Sequence, residues 1–101
     1  MIELEKKIIA ALKTVYDPEI PVNIYDLGLI YEVIVDDGKK VRITMTLTAP
    51  NCPMADELVD DVYSKVKALD DVSDVIVKLT FEPAWDKSMM TEEALLELGF
   101  L

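Results

Sequence analysis

Histidine is absent from this 101-residue chain, and cysteine occurs once, at Cys52. A lone thiol cannot close an internal disulfide, so the chain suits a reducing compartment and reads as soluble and cytoplasmic. The missing histidine removes the usual base of a nucleophilic cysteine. A redox CxxC pair would need a second thiol. A closed zinc site would need four ligands, which one cysteine without histidine does not supply. Basic residues are scarce, ten against twenty acids, for a net charge of −10. Such a field repels a phosphate backbone, and no basic stripe overrides it, so nucleic acid is not an expected partner. The acidity serves solubility, or else attracts a basic partner or cations. Long apolar runs are missing too. The first, Ile8 to Leu12, is too short for a signal peptide or a membrane span.

What is present is a core. Apolar residues make up 51% of the chain, which excludes disorder and supports one domain over residues 1–101. Leu4, Ile8, Leu12 and Val15 recur at helical spacing, and the pair Asp17-Pro18 is expected to stop that helix. An irregular stretch follows, DPEIPVNIYDLG, with the carboxylates Asp17, Glu19 and Asp26. Leu29, Tyr31, Val33 and Val35 then alternate with Ile30, Glu32, Ile34 and Asp36 as a strand. Asp37-Gly38 predicts a two-residue hairpin turn. In the return strand Val41, Ile43, Met45 and Leu47 face the core, while Arg42, Thr44, Thr46 and Thr48 form a polar face. Leu58, Val59, Val62, Val66 and Leu69 mark a second helix. Val75, Val77, Leu79 and Phe81 mark a third strand, and Thr91 and Gly99 bracket a last helix.

The order α-β-β-α-β-α, with a right-handed crossover between parallel strands, predicts an α+β two-layer sandwich. A small mixed sheet would carry its helices on one face. Ile30, Ile34 and Ile76 fall on the other face, as an apolar patch suited to a weak homodimer. Trp85, Met89 and Met90 are expected to pack over the sheet edge.

Cys52 lies in TAPNCPM, between a strand end and a helix start. Proline suits the first helical position, so Pro53 places Cys52 at or beside the N-cap, where unpaired amides favour a thiolate. Asp56 and Glu57 oppose a second anion there. The residues alone leave two readings open. Cys52 packs the helix start as a small hydrophobe, or its thiolate holds a soft metal with ligands borrowed from elsewhere. Asp17 and Glu19 likewise either form a solvated turn, with Asp17 closing the first helix end, or are held on the surface beside the Cys52 helix as hard oxygen ligands or docking charges. Thr48 is the threonine nearest that site.

Taken together, DPEIPVNIYDLGLIYEV and MTLTAPNCPMAD resemble the iron–sulfur cluster assembly domain family. That family includes SufT, the phenylacetate-degradation protein PaaD and the cytosolic targeting factor of eukaryotic iron–sulfur assembly. LTFEPAWDKSMMTEEALLELG resembles the family's C-terminal part. The resemblance implies a maturation or delivery factor rather than an enzyme, working with client apoproteins and the assembly machinery. It implies transient iron or an iron–sulfur cluster as cargo and Cys52 as the metal ligand. It also makes Asp17, Glu19, Asp26, Thr46, Thr48, Asn51, Cys52 and Pro53 the expected functional surface. PaaD carries further cysteines that this chain lacks, so the likeness is closer to SufT. The alternatives are a metal-free adaptor that recognises partner proteins through the same surface, a PaaD-like accessory protein of aromatic-acid degradation, and, behind these, an enzyme with Asp17 and Glu19 as an acid/base pair.

Overall fold

A computed structural model describes residues 2–17, 20–48 and 55–99. Its elements are α1 (Ile2–Leu12), β1 (Ile30–Val35), β2 (Lys40–Met45), α2 (Ala55–Lys67), β3 (Asp74–Leu79) and α3 (Glu92–Glu97). A short 3-10 turn, Lys87–Met89, precedes α3. The order and the α+β class are those the sequence predicts.

The sheet runs β1-β2-β3, with β2 antiparallel to β1 and parallel to β3. Cross-strand register sorts the side chains into rows. Val35–Val41–Val75 and Val33–Ile43–Val77 belong to the covered face, and Val41 and Ile43 at their centres are buried. Ile34–Arg42–Ile76 and Glu32–Thr44–Lys78 belong to the open face. Against the covered rows pack Leu4, Ile8 and Leu12 of α1 and Leu58, Val62 and Val66 of α2 in one continuous core. Period-2 and period-3.6 stripes meet there, which is why the two layers adhere. Lys7 of α1 pairs with Asp71 after α2 at 2.9 Å. That hydrogen bond lowers the Asp71 pKa and raises that of Lys7. Both groups are exposed, so the pair adds little to stability.

Several details depart from the sequence expectation. The first helix ends at Leu12, well before Pro18. Thr14 and Val15 donate to Ala11 O and Leu12 O in tightened i→i−3 bonds, and the Thr14 hydroxyl bonds Ala11 O at 2.6 Å. The chain then leaves to pair Tyr16 with Asn23 in an isolated antiparallel bridge. Val15 is buried, but as part of this bridge rather than of the helix. A bulge between Ile30 and Glu32 sets Ile30 opposite Met45. Ile30 thereby leaves the open face, and the predicted patch shrinks to Ile34 and Ile76, each 44% exposed, with Arg42 between them. β3 is an edge strand with a covering neighbour on one side only, and Leu79 and Phe81 at its far end are exposed rather than core.

The hairpin connection also differs. Val35 pairs with Val41, and Asp36 N–H donates to Lys40 O, so three residues, 37 to 39, make the turn. Lys39, not Gly38, takes the left-handed conformation, at φ 61. The Asp36 carboxylate forces this by accepting from both Gly38 N and Lys40 N at 3.0 Å. Ser73 secures the outcome, donating through Oγ to Gly38 O and through N to Lys39 O.

Two measurements check this architecture. Ile43→Asp puts a charge at a buried, centrally paired position, and denaturant titration should record a loss of roughly 3 kcal/mol or more. A variant as stable as the parent would overturn the register. In the turn, Gly38→Ala should be neutral or stabilising by up to about 1 kcal/mol, because Gly38 needs no positive φ. Lys39→Gly should stabilise by a similar amount by relieving left-handed strain. If Gly38→Ala is the costly change, the turn is the two-residue form after all.

Candidate functional site

The irregular segment before β1 is built by local hydrogen bonds. Asp26 N–H donates to Asn23 Oδ1 at 2.9 Å, and Asn23 Nδ2 donates back to Asp26 Oδ2 at 2.8 Å. The Asn23 side chain thereby caps the helical turn that follows, and the Asp26 carboxylate holds that cap in place. The turn stops in a Schellman-type closure, with Leu29 N–H donating to Ile24 O and Gly28 at φ +83. The buried Asp26 carboxylate is thus engaged in holding the chain.

A relay of backbone bonds carries this segment to the sheet. Ile24 N–H donates to Val15 O at 2.9 Å, Leu29 N–H to Ile24 O at 3.1 Å, and Thr46 N–H to Leu29 O at 2.8 Å. On the other side of β2, Thr80 N–H donates to Met45 O at 2.8 Å. The Asp17 stretch, the end of β2 and the end of β3 are therefore tied together at one end of the sheet. The strand-to-helix connection that contains Cys52 leaves from that same end.

The C-terminal segment closes over the same region. Trp85 Nε1–H donates to Leu27 O at 2.6 Å, and the Tyr31 hydroxyl donates to Pro83 O at 2.7 Å. Thr91 N–H donates to Asp26 O at 2.9 Å, while its hydroxyl caps α3 by accepting from Ala94 N. The backbone of Met89 lies so close to Gly28 that any Cβ there would collide with its carbonyl. Trp85 is half-buried against the core and Met90 is buried, while Met89 meets Gly28 in the turn before β1 rather than the sheet edge.

Of the expected functional residues, Glu19, Asn51, Cys52 and Pro53 lie outside the described residues. Asp17 is buried at 6% exposure, not on the surface, and its Oδ1 accepts from Ile20 N at 3.0 Å. Asp17 N–H donates to Val22 O, so this aspartate helps to shape its own loop. Thr48 is half-buried. Thr46 is fully buried, not part of a solvated polar face, and its hydroxyl has no hydrogen-bond partner among the described residues. Among the described residues no three His, Cys, Asp or Glu side chains cluster as metal ligands. Sequence reasoning overlooked Asn23, whose signal was the N-x-x-D spacing. It also assigned Tyr31 only to a strand, and nothing local signals the Tyr31 bond to Pro83 O, 52 positions away.

Comparison with known proteins fits this geometry. The family described as iron–sulfur cluster assembly protein matches residues 5–79. An Fe-S protein maturation auxiliary factor of Porphyromonas gingivalis is 59% identical over 100 residues, covering 99% of this chain and 95% of that protein. The Fe-S protein maturation auxiliary factor SufT of Staphylococcus aureus is 38% identical, covering 84% of this chain and 97% of the relative. A crystal structure of a domain of unknown function from Bacillus anthracis superposes with a TM-score of 0.91 at 37% identity. That superposition covers 99% of this chain and 95% of the other. Matches of this extent, spanning the Asp17 loop, the hairpin, α2 and β3, establish that the chain belongs to the iron–sulfur cluster assembly protein family.

Proposed function

We propose that this protein is an auxiliary factor of iron–sulfur protein maturation, which holds iron or an iron–sulfur cluster briefly through Cys52 and yields it to client apoproteins. The observation that carries this reading is the P. gingivalis maturation factor, alike along 99% of the chain. The chemistry of the donor set agrees. A thiolate is a soft ligand suited to iron and to clusters, whereas a stably held cluster commonly takes four protein ligands. One thiol per chain makes the complex incomplete without a partner, and an incomplete complex is one that can be surrendered. The cargo is a substrate passed along, and the protein works as a carrier without catalytic turnover.

Asp17 shapes its own loop by accepting from Ile20 N–H. Asp17→Ala removes the acceptor of Ile20 N–H from a buried position and should cost about 1–2 kcal/mol. Asp17→Asn keeps an acceptor oxygen and should cost less. If Asp17→Asn matches the parent in stability yet delivers less iron to a client, the carboxylate charge also acts on the cargo. If both variants deliver normally, Asp17 serves the fold alone.

Anaerobic reconstitution with iron and sulfide tests the central claim. The parent chain should retain substoichiometric, chelator-labile iron or activate a client apoprotein, and Cys52→Ser should do neither. Equal client activation by the two would remove the metal role and leave a metal-free adaptor.

A further inference from the structure

β3 leaves one edge of the sheet open. Successive residues of a strand turn their backbone groups to alternate sides, and Thr80 N–H reaches β2 at Met45 O. Ile76 and Lys78 share that parity, so Val75, Val77 and Leu79 direct N–H and C=O away from β2. Among the described residues no backbone group outside the sheet bonds Val77 or Leu79. Val75 N–H is covered by the neighbouring carboxylate, donating to Asp74 Oδ1 at 2.9 Å. The register with β2 is unbroken from Asp74 to Leu79. The other edge of the sheet differs, because β1 carries a bulge between Ile30 and Glu32, and a bulge blunts an edge against pairing. On the open face β3 presents Asp74, Ile76 and Lys78, all of them exposed.

We propose that β3 pairs with β3 of a second copy of this chain, antiparallel and about a two-fold axis at Ile76. An edge strand with unpaired backbone groups is a template for another strand, and a two-fold contact must be self-complementary. Charge settles the register. Centred on Ile76, the pairing sets Ile76 against Ile76 and Asp74 against Lys78, twice by symmetry, in the pairs whose side chains lie closest. Val75 and Val77 then exchange the outward N–H···O=C bonds, and the Asp74 carboxylate passes from Val75 N–H to Lys78 of the other copy. Lys67 Nζ, 3.9 Å from Asp74 Oδ1 at an exposed position, competes weakly. Centring on Val77 would set Ile76 against Lys78, and centring on Lys78 would set like charges together. A lone lysine on an edge repels arbitrary strands, but Lys78 finds its counter-charge in an antiparallel copy of itself. The cross-sheet rows continue through the axis. Ile34–Arg42–Ile76 runs into its own copy, and Glu32–Thr44–Lys78 runs into Asp74 and Lys40 of the second copy, with charges alternating in sign. One strand pair is a small contact, below the about 1,200 Å² of a standard interface, so the dimer is weak, with a Kd on the order of 0.1 mM. The pairing stands apart from the cargo chemistry proposed above.

Sedimentation of the full chain between roughly 10 μM and 1 mM tests this. The parent should pass from monomer to dimer and return toward monomer in high salt, which screens the exposed pairs. Asp74→Lys and Lys78→Asp should each stay monomeric where the parent is dimeric, since each sets like charges opposite one another. Mixed one to one they should dimerise, because two lysines of one copy then face two aspartates of the other. Both positions are exposed, so both variants should keep the parent's circular dichroism. Ile34→Lys, on the open face away from the axis, should leave the dimer unchanged. A measurement on the parent needs no variant: the Val77 amide should exchange roughly fourfold more slowly at the upper concentration than at the lower, while that of Lys78, bonded to β2 in both states, should not change. A parent that is monomeric throughout overturns the proposal. A mixture of the two charge variants that stays monomeric overturns it as well, by denying the register. Association lost in Ile34→Lys but kept in Lys78→Asp also overturns it, and assigns the contact to the open face.

Discussion

β2 is hydrogen-bonded along both edges, and the bonding runs past the strand's end, through Thr46 N–H to Leu29 O and through Met45 O to Thr80 N–H. Everything that positions the candidate site hangs from this continuation. On one side it anchors the capped turn of residues 23–29, and through Ile24 and Val15 the Asp17 loop. On the other it fixes where β3 hands over to the C-terminal segment. A strand paired on one edge only could fray at its last residues. Paired on both, its last residues are held in a defined place.

The same constraint explains the glycine before β1. The capped turn needs a left-handed residue to close, and Gly28 supplies φ +83 at no steric cost. The absent side chain then leaves room for the backbone of Met89. With Trp85 bonded to Leu27 O and Thr91 to Asp26 O, the C-terminal segment rests on three successive residues of that turn. A substituent at Gly28 would disturb both the turn and the segment that covers it. One residue thus couples the two ends of the chain around the end of the sheet.

Much of the framework was legible in the sequence because binary patterning is a local signal. Val41, Ile43, Met45 and Leu47 alternate without a fault, and all four are buried. The helical stripe Leu58, Val62, Val66 behaves likewise, and Thr91 caps α3 as its position promised. What escaped was set by partners elsewhere or by competing local chemistry. The bulge that moves Ile30 across the sheet answers to the pairing of Leu29 with Thr46, which no residue near Ile30 announces. The turn at residues 37–39 follows from the Asp36 carboxylate taking two amides, an interaction that outweighs the pull of Asp-Gly toward a tighter loop. Leu79 has the hydrophobicity of a core residue, but an edge position decides its exposure. Asp17, read as a surface acid, is held inside by its own loop.

The expected functional residues divide by these same forces. Asp17 and Asp26 are buried carboxylates that accept local hydrogen bonds, so the fold itself accounts for them. Thr46 is the opposite case, a polar group that the fold does not account for at all. Marginally stable proteins keep an uncompensated polar group where function outweighs its cost. At the end of β2 the pairing of Thr46 N–H with Leu29 O is thus explained by the sheet, and its hydroxyl is not.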